Sequence, residues 1–281
     1  MLDFISTNTL RDFAPFKIHH GDGHYFTTNI LKQNSIIYCK YEYLQELFLQ
    51  LRFSNRKYIL ISHASDYPID EKMFLQRSTC IKKWFAQNAT YSHADLIPIP
   101  IGLGPHKDSD AWPIGPDGKQ YTIWLAENIE KLQSNSKNLK KVYCNWNINT
   151  TPNRKGILTK LKNAKIEYFW GRNEVEENVD NKHLSFYDYY EQMSKCQFVI
   201  SPPGNGMDCH RTWEALYMGC FPVVIKNPFW EGFKELPIIQ VKDYSELTYD
   251  LLNSFLGKEY NYEKIYMKYW ENRITNELNK L

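Results

Sequence analysis

The sequence lacks a strong net charge: 34 Lys and Arg against 32 Asp and Glu leave +2 over 281 residues. No global field draws it to nucleic acid or to an anionic membrane, so any phosphate it binds must be held locally. It also lacks an apolar run of about 20 residues, and no spanning helix is predicted. The opening stretch MLDFISTNTLRDF carries an early acid and no apolar core of signal-peptide length. Metal-ligand cysteine spacing is missing as well. Cys39, Cys80, Cys144, Cys196, Cys209 and Cys220 include no CxxC pair, and several fall inside apolar or helical runs. They read as reduced, buried thiols. The expectation is a cytoplasmic chain without a transmembrane segment, which leaves room for transient membrane association.

What is present is enough for a large core. Hydrophobic residues make up 43% of the chain, and its length suits one large or two small domains. Aromatics reach 15%, a composition that suits sugar stacking, although most such rings belong to ordinary core. Internal repeats and low-complexity segments are absent. The composition changes near the middle, where residues 104–120 (GPHKDSDAWPIGPDGKQ) carry no apolar period and predict a long loop. A polar helical stretch, Trp124 to Leu139, follows as a linker. The chain is therefore divided into residues 1–135 and 140–281.

In the first half, Ser35–Tyr38, Tyr58–Ser62 and Leu96–Ile101 predict buried strands, and Tyr41–Arg52 has helical spacing. The second half alternates plainly. Strands are predicted at Lys141–Asn145, Glu167–Trp170, Phe198–Ser201 and Pro222–Ile225, with helices at Asn153–Asn163, Ser185–Lys195 and Asp208–Met218. Such alternation implies crossover connections and a parallel sheet that binds ligands at the carboxyl ends of its strands. The stretch Tyr260–Leu281 predicts a final helix, which either packs back across both lobes or covers only its own.

The chemistry concentrates between Phe198 and Ile225. A buried strand ends at Ser201, and Pro202-Pro203-Gly204-Asn205-Gly206 can continue neither helix nor strand. Asp208 is placed to cap the following helix and Gly219 to end it. Strand, glycine loop and helix N-terminus together form an anion site suited to a diphosphate. His210 and Arg211 fall in the first helical turn, where Arg can grip phosphate bidentately and His can donate a hydrogen bond or a proton. Glu214, one turn on, is placed to accept ribose hydroxyls. Each residue has a plainer reading: Arg211 and Glu214 as an i, i+3 surface pair, His210 as core, the loop as a simple turn.

Ser201-Pro-Pro-Gly-Asn-Gly-Met-Asp-Cys-His-Arg-Thr-Trp-Glu-Ala-Leu, with Gly219-Cys-Phe-Pro-Val-Val after it, resembles the donor-binding signature of exostosin-like glycosyltransferases and their polysaccharide-synthesis relatives. The helix from Phe186 to Lys195 and Asn153-Arg154-Lys155 are similar to that family too. The resemblance implies an α/β, GT-B-like fold: two Rossmann-like lobes, the N-terminal one reduced, with a terminal helix packing back. It implies that Arg154 and Arg211 face the donor diphosphate, that Gly204, Asn205 and Gly206 shape its pocket, and that Glu214 holds the ribose. The implied partners are a nucleotide-sugar donor and a glycan or lipid-linked glycan acceptor, used by a hexosyl- or pentosyltransferase in surface polysaccharide or glycoconjugate assembly.

An inverting transferase needs a base opposite the leaving diphosphate, whereas a retaining one does not. In Ile61-Ser-His-Ala-Ser-Asp66 a buried strand runs into a polar turn, which makes His63 and Asp66 the catalytic candidates; the plainer reading is a local capping turn. Gln87 and Asn88 are candidates for the acceptor side. Asp108-Ser-Asp110 has the Asp-x-Asp form of metal-dependent GT-A transferases, but it lies in a Gly/Pro-rich loop with no apolar strand before it. Neither a metal nor another cofactor is expected. The alternatives are a GT-A-like transferase using Asp108 and Asp110, and a non-catalytic nucleotide-sugar or glycan-binding subunit.

Overall fold

The computed structural model describes residues 4–18, 35–104, 121–171, 184 and 186–281. Asp108 and Asp110 lie outside the described residues. The first sheet is built from β1 (Phe16–Ile18), β2 (Ser35–Lys40), β3 (Tyr58–His63), β4 (Ile81–Ala86) and β5 (Leu96–Pro98), in that spatial order and parallel throughout. The second holds β6 (Asn138–Cys144), β7 (Glu167–Trp170), β8 (Cys196–Ile200), β9 (Phe221–Ile225) and β10 (Ile239–Val241), ordered β10-β9-β8-β6-β7 and again parallel. Strands such as β3, buried at all six positions, read as continuous apolar runs because helices cover both faces of a parallel sheet.

The helices are α1 (Thr7–Phe13), α2 (Leu44–Gln50), α3 (Glu71–Leu75), α4 (Tyr121–Gln133), α5 (Ile157–Asn163), α6 (Phe186–Ser194), α7 (His210–Tyr217), α8 (Tyr249–Asn253) and α9 (Met267–Leu278). The α/β expectation thus holds as two parallel sheets. The reduction expected of the N-terminal lobe is not one of strand number, since each described sheet has five strands. The first half also holds more regular structure than its pattern predicts: β1 and β4 join the sheet. The linker stretch forms α4, which packs on α6 and leads into β6 through four residues. Among the described residues no helix is long and apolar enough to cross a membrane.

Helix α9 returns to the first lobe. It packs against β3 and α1, and Lys57 Nζ donates to the Leu281 carbonyl at 3.1 Å. A relay of buried rings joins the lobes: Trp213 on α7 meets Phe233 edge-on, Phe233 meets Trp270 of α9, and Trp270 meets Phe85 of β4. One apolar cluster therefore contains residues of both sheets.

Polar contacts fix the junction more sharply. The Leu103 amide donates to the Ile5 carbonyl at 2.9 Å, beside Gly102 at φ +67°, where a Cβ would stand 2.1 Å from that carbonyl oxygen. Ile5 in turn donates its amide to the Tyr217 hydroxyl at 3.1 Å, and that hydroxyl donates to the Ile265 carbonyl. At the centre sits Asp208, 3% exposed. One carboxylate oxygen accepts from the Ile101 amide at 2.7 Å, the other from Trp213 Nε1–H at 2.8 Å, and the Asp208 amide donates to Asn88 Oδ1 at 2.9 Å. Asp208 is therefore not the N-cap of α7. Cys209 takes that position, without a side-chain cap, because the carboxylate is turned across the junction. Gly219, at φ +68°, does lie just past the helix end.

Burial raises the Asp208 pKa to about 7, against the hydrogen bonds from Ile101 and Trp213, which lower it. The folded value exceeds the ordinary 3.8, so the folded state holds more protons and the Asp208 contribution to stability falls as pH rises from about 4 to about 7. Asp208→Asn cannot ionise. Denaturant titrations are expected to show the variant gaining on the unmutated protein across that window; parallel profiles would contradict the desolvated junction.

Candidate functional site

The loops that leave the carboxyl ends of the two sheets meet, as Asp66 after β3 and Gly206 after β8 show, and the sequence-predicted residues lie on these loops, at the end of β3 and on α7. After β8, the chain turns tightly, with the Gly204 amide donating to the Gly206 carbonyl at 2.9 Å. Space is tight at both glycines, and more so at Gly206. A Cβ on Gly204 would stand 3.3 Å from Arg154 Nη2; one on Gly206 would stand 2.9 Å from Asn88 Nδ2 and 3.2 Å from Asp66 Oδ1. Asn205, at the tip, is exposed. The Ser201 hydroxyl is spent on Thr212 Oγ1 at 2.9 Å, in a buried contact that pins the strand end to α7.

Arg154 follows β6, in a single turn capped by Thr151. Its guanidinium serves the loop: Nε donates to the Pro203 carbonyl at 2.8 Å, Nη2 to the Pro202 carbonyl at 3.4 Å and Nη1 to the Asn147 carbonyl at 3.1 Å. Burial, and then the Arg211 cation, lower its pKa from the usual guanidinium value. Arg154 also walls a cavity of about 370 Å³ whose lining includes Trp146, Ile148, Lys155 and Gly156.

Arg211 behaves differently. Its Nε and Nη1 are buried and have no hydrogen-bond partner among the described residues. A buried donor left unmade costs about 1–3 kcal/mol, and more when charged, so these donors are a local cost to the fold. The surface pairing with Glu214 does not form. Glu214 is buried, and its Oε2 accepts from the Tyr189 hydroxyl on α6 at 2.7 Å. Desolvation of the Tyr189 hydroxyl, and then the neighbouring Glu214 charge, push the Tyr189 pKa well above the usual phenol.

His210 stands between the lobes. Its Nδ1–H donates to the Gly102 carbonyl at 2.7 Å, which puts the ring lone pair on Nε2. Burial lowers its pKa below 6.5, while Gly102, Glu214 and Asp66 oppose this and Arg211 adds to it. Those causes place Asp66, Glu214 and Arg211 around one imidazole.

In the first lobe, Asp66 is exposed on the turn after β3 and meets the glycine loop. His63 is placed otherwise. Still within β3 and 1% exposed, it receives the Thr7 hydroxyl at Nδ1 (3.0 Å) and donates Nε2–H to the Pro100 carbonyl (3.0 Å). Both ring nitrogens are engaged, and burial drives its pKa down to about 4. Gln87 and Asn88 hold the same turn from below: Gln87 Oε1 accepts the Ala64 amide at 2.9 Å, and Asn88 Nδ2 donates to the Ser65 carbonyl at 3.1 Å. Both are buried, so they shape the loop that carries Asp66. Sequence reasoning missed Tyr189 and the bridging role of Asp208; Tyr189 looks like any aromatic on a helix, and only contact with Glu214 singles it out.

Among the described residues no group of three or more His, Cys, Asp or Glu side chains is arranged to hold a metal ion. The charged groups at the junction are the cations Arg154 and Arg211 and the carboxylates Asp66 and Glu214. A search of curated proteins found no match. The family model described as RXYLT1 C-terminal domain matches residues 126–280, more than half of the chain and all of the segment from Arg154 to Glu214. With that model running across the glycine loop and the helix that carries Arg211, the chain belongs to the RXYLT1 C-terminal domain family, and so to an exostosin-related family of glycosyltransferases.

Proposed function

We propose that the protein is a GT-B-type glycosyltransferase that binds a nucleotide-sugar over the N-terminus of α7 and transfers the sugar to a glycan or lipid-linked glycan. The observation that carries this reading is the Arg211 guanidinium, whose buried Nε and Nη1 have no hydrogen-bond partner among the described residues, on the uncapped first turn of α7. A diphosphate placed there receives a charge-assisted hydrogen bond and the positive end of the helix dipole together. Arg154 adds a second positive charge while holding the loop by its carbonyls. Glu214, oriented by Tyr189, accepts from the ribose. The departing diphosphate is then stabilised by fixed charges already in place, which is the cheapest form of leaving-group assistance because nothing reorganises during the reaction. No metal is required by this arrangement.

Asp66 is the group best placed to take the acceptor proton. It is exposed at the end of the N-terminal sheet, opposite the loop that would hold the diphosphate. His63 then acts as a neutral post beneath that turn. The description of the family as a xylosyltransferase domain makes a nucleoside diphosphate pentose the first donor to test, ahead of hexoses. Assembly of surface polysaccharide in the cytoplasm is the setting that the sequence signature suggests.

Arg211→Met separates a binding residue from a structural one. It is expected to weaken nucleoside diphosphate binding by about tenfold or more in calorimetry while the unliganded protein stays as stable as the parent or more so, since two buried donors without partners are removed. A variant less stable than the parent, with unchanged affinity, would remove Arg211 from the site. Asp66→Asn should leave nucleoside diphosphate affinity intact and lower turnover by about 10²-fold or more; equal turnover would clear Asp66 of the base role. Turnover should survive EDTA, and rescue by Mn²⁺ or Mg²⁺ after EDTA loss would favour the metal-dependent alternative.

A further inference from the structure

The Tyr41 and Tyr67 rings stack with centroids 4.9 Å apart and planes inclined at 26°. Tyr41 is the first residue after β2, and Tyr67 follows the turn that leaves β3. These strands are neighbours, with Lys40 opposite His63, so the two rings meet at the carboxyl edge of the N-terminal sheet. Tyr67 is the next residue after Asp66, whose Cα stands 3.2 Å from where a Gly206 Cβ would lie. The stack therefore lies beside the groups that the proposed function places at the reaction centre.

Tyr67 is 58% exposed, so its ring is held in one orientation by Tyr41 while much of its surface stays in water. It is one of the few large hydrophobic side chains among the described residues that stand mostly in water, whereas rings such as Trp84 and Phe85 of the same sheet are fully buried. The polar surroundings are acidic. Burial, Asp70, Tyr67 and Glu42, in that order, push the Tyr41 hydroxyl pKa up, and Asp66 adjoins Tyr67 in the chain. Asp66 beside Tyr67 in the chain, and Asp70 and Glu42 close enough to act on the Tyr41 hydroxyl, supply hydrogen-bond acceptors for hydroxyl groups and negative charge that disfavours anions.

We infer that the Tyr41–Tyr67 stack is an acceptor platform for an uncharged sugar ring, whose C–H face lies on Tyr67 and whose hydroxyls are directed towards Asp66, Asp70 and Glu42. The inference rests on the transferase reading for its role in catalysis and on the geometry of the stack for its ligand. It selects against uronic acids and phosphorylated sugars at this position, because an anion there would face like charges.

The test uses the full chain and saturation-transfer NMR with the methyl glycosides of xylose, glucose and galactose as neutral probes and methyl glucuronide as the acidic one. The neutral ring protons are expected to receive saturation. Tyr67→Ala should weaken binding roughly three- to tenfold, and Tyr67→Phe should keep it. The acidic probe should give at most a weak signal, and nucleoside diphosphate affinity should be the same in all three proteins. Neutral signals absent from the unmutated chain, or unaffected by Tyr67→Ala, overturn the platform. A glucuronide signal equal to the neutral ones overturns the ligand class. Neutral signals that depend on Tyr67 in a chain that binds no nucleoside diphosphate uphold the platform and sink the transferase reading instead.

Discussion

The carboxylate of Asp208 is the constraint on which the arrangement of the two lobes depends. It is buried, it belongs to the C-terminal lobe, and it accepts hydrogen bonds from Ile101 of the N-terminal lobe and from Trp213 behind it. Because its amide is tied at the same time to Asn88, the loop it belongs to is fixed from both sides. Breaking a buried set of this kind leaves several donors without partners, so the lobes hold one relative position rather than a range of them. The glycine loop, α7 and the Asp66 turn inherit their geometry from that position.

Two arginines, far apart in the sequence and different in role, show how the site divides its work. Arg154 is saturated by backbone carbonyls, and its function is to hold the loop in a shape that α7 alone would not impose. Arg211 is left with buried donors unmade, against the general tendency of folded proteins to satisfy them. The two cations act on each other electrostatically and one of them keeps buried donors without partners, a combination that costs the fold locally. The destabilisation is local because Asp208, Ser201 and Thr212 brace the helix on its far side.

Much of this was legible in the sequence, for reasons that can be located. The alternation of strands and helices after residue 138 was readable because buried parallel strands are unbroken apolar runs. The loop, Arg211 and Glu214 could be placed because glycine, proline and a helix start punctuate the chain. Asp208 was misread because an acid before a helix is a local capping signal, whereas its partner Ile101 lies 107 positions away. His63 was chosen because it ends a strand; in the structure it is still paired within the sheet, opposite Lys40, and so remains buried. Gln87 and Asn88 stand in the expected region, but no local pattern says whether an amide faces a ligand or the backbone beneath it.

The central claim is that an anion completes the junction at α7. The most direct measurement is a crystal structure of the protein with a nucleoside diphosphate. The account requires phosphate oxygens within hydrogen-bond distance of Arg211 and of the first amides of α7, with the ribose at Glu214. A diphosphate seated elsewhere, such as in the cavity beside Trp146 with Arg211 still unpaired, would contradict it.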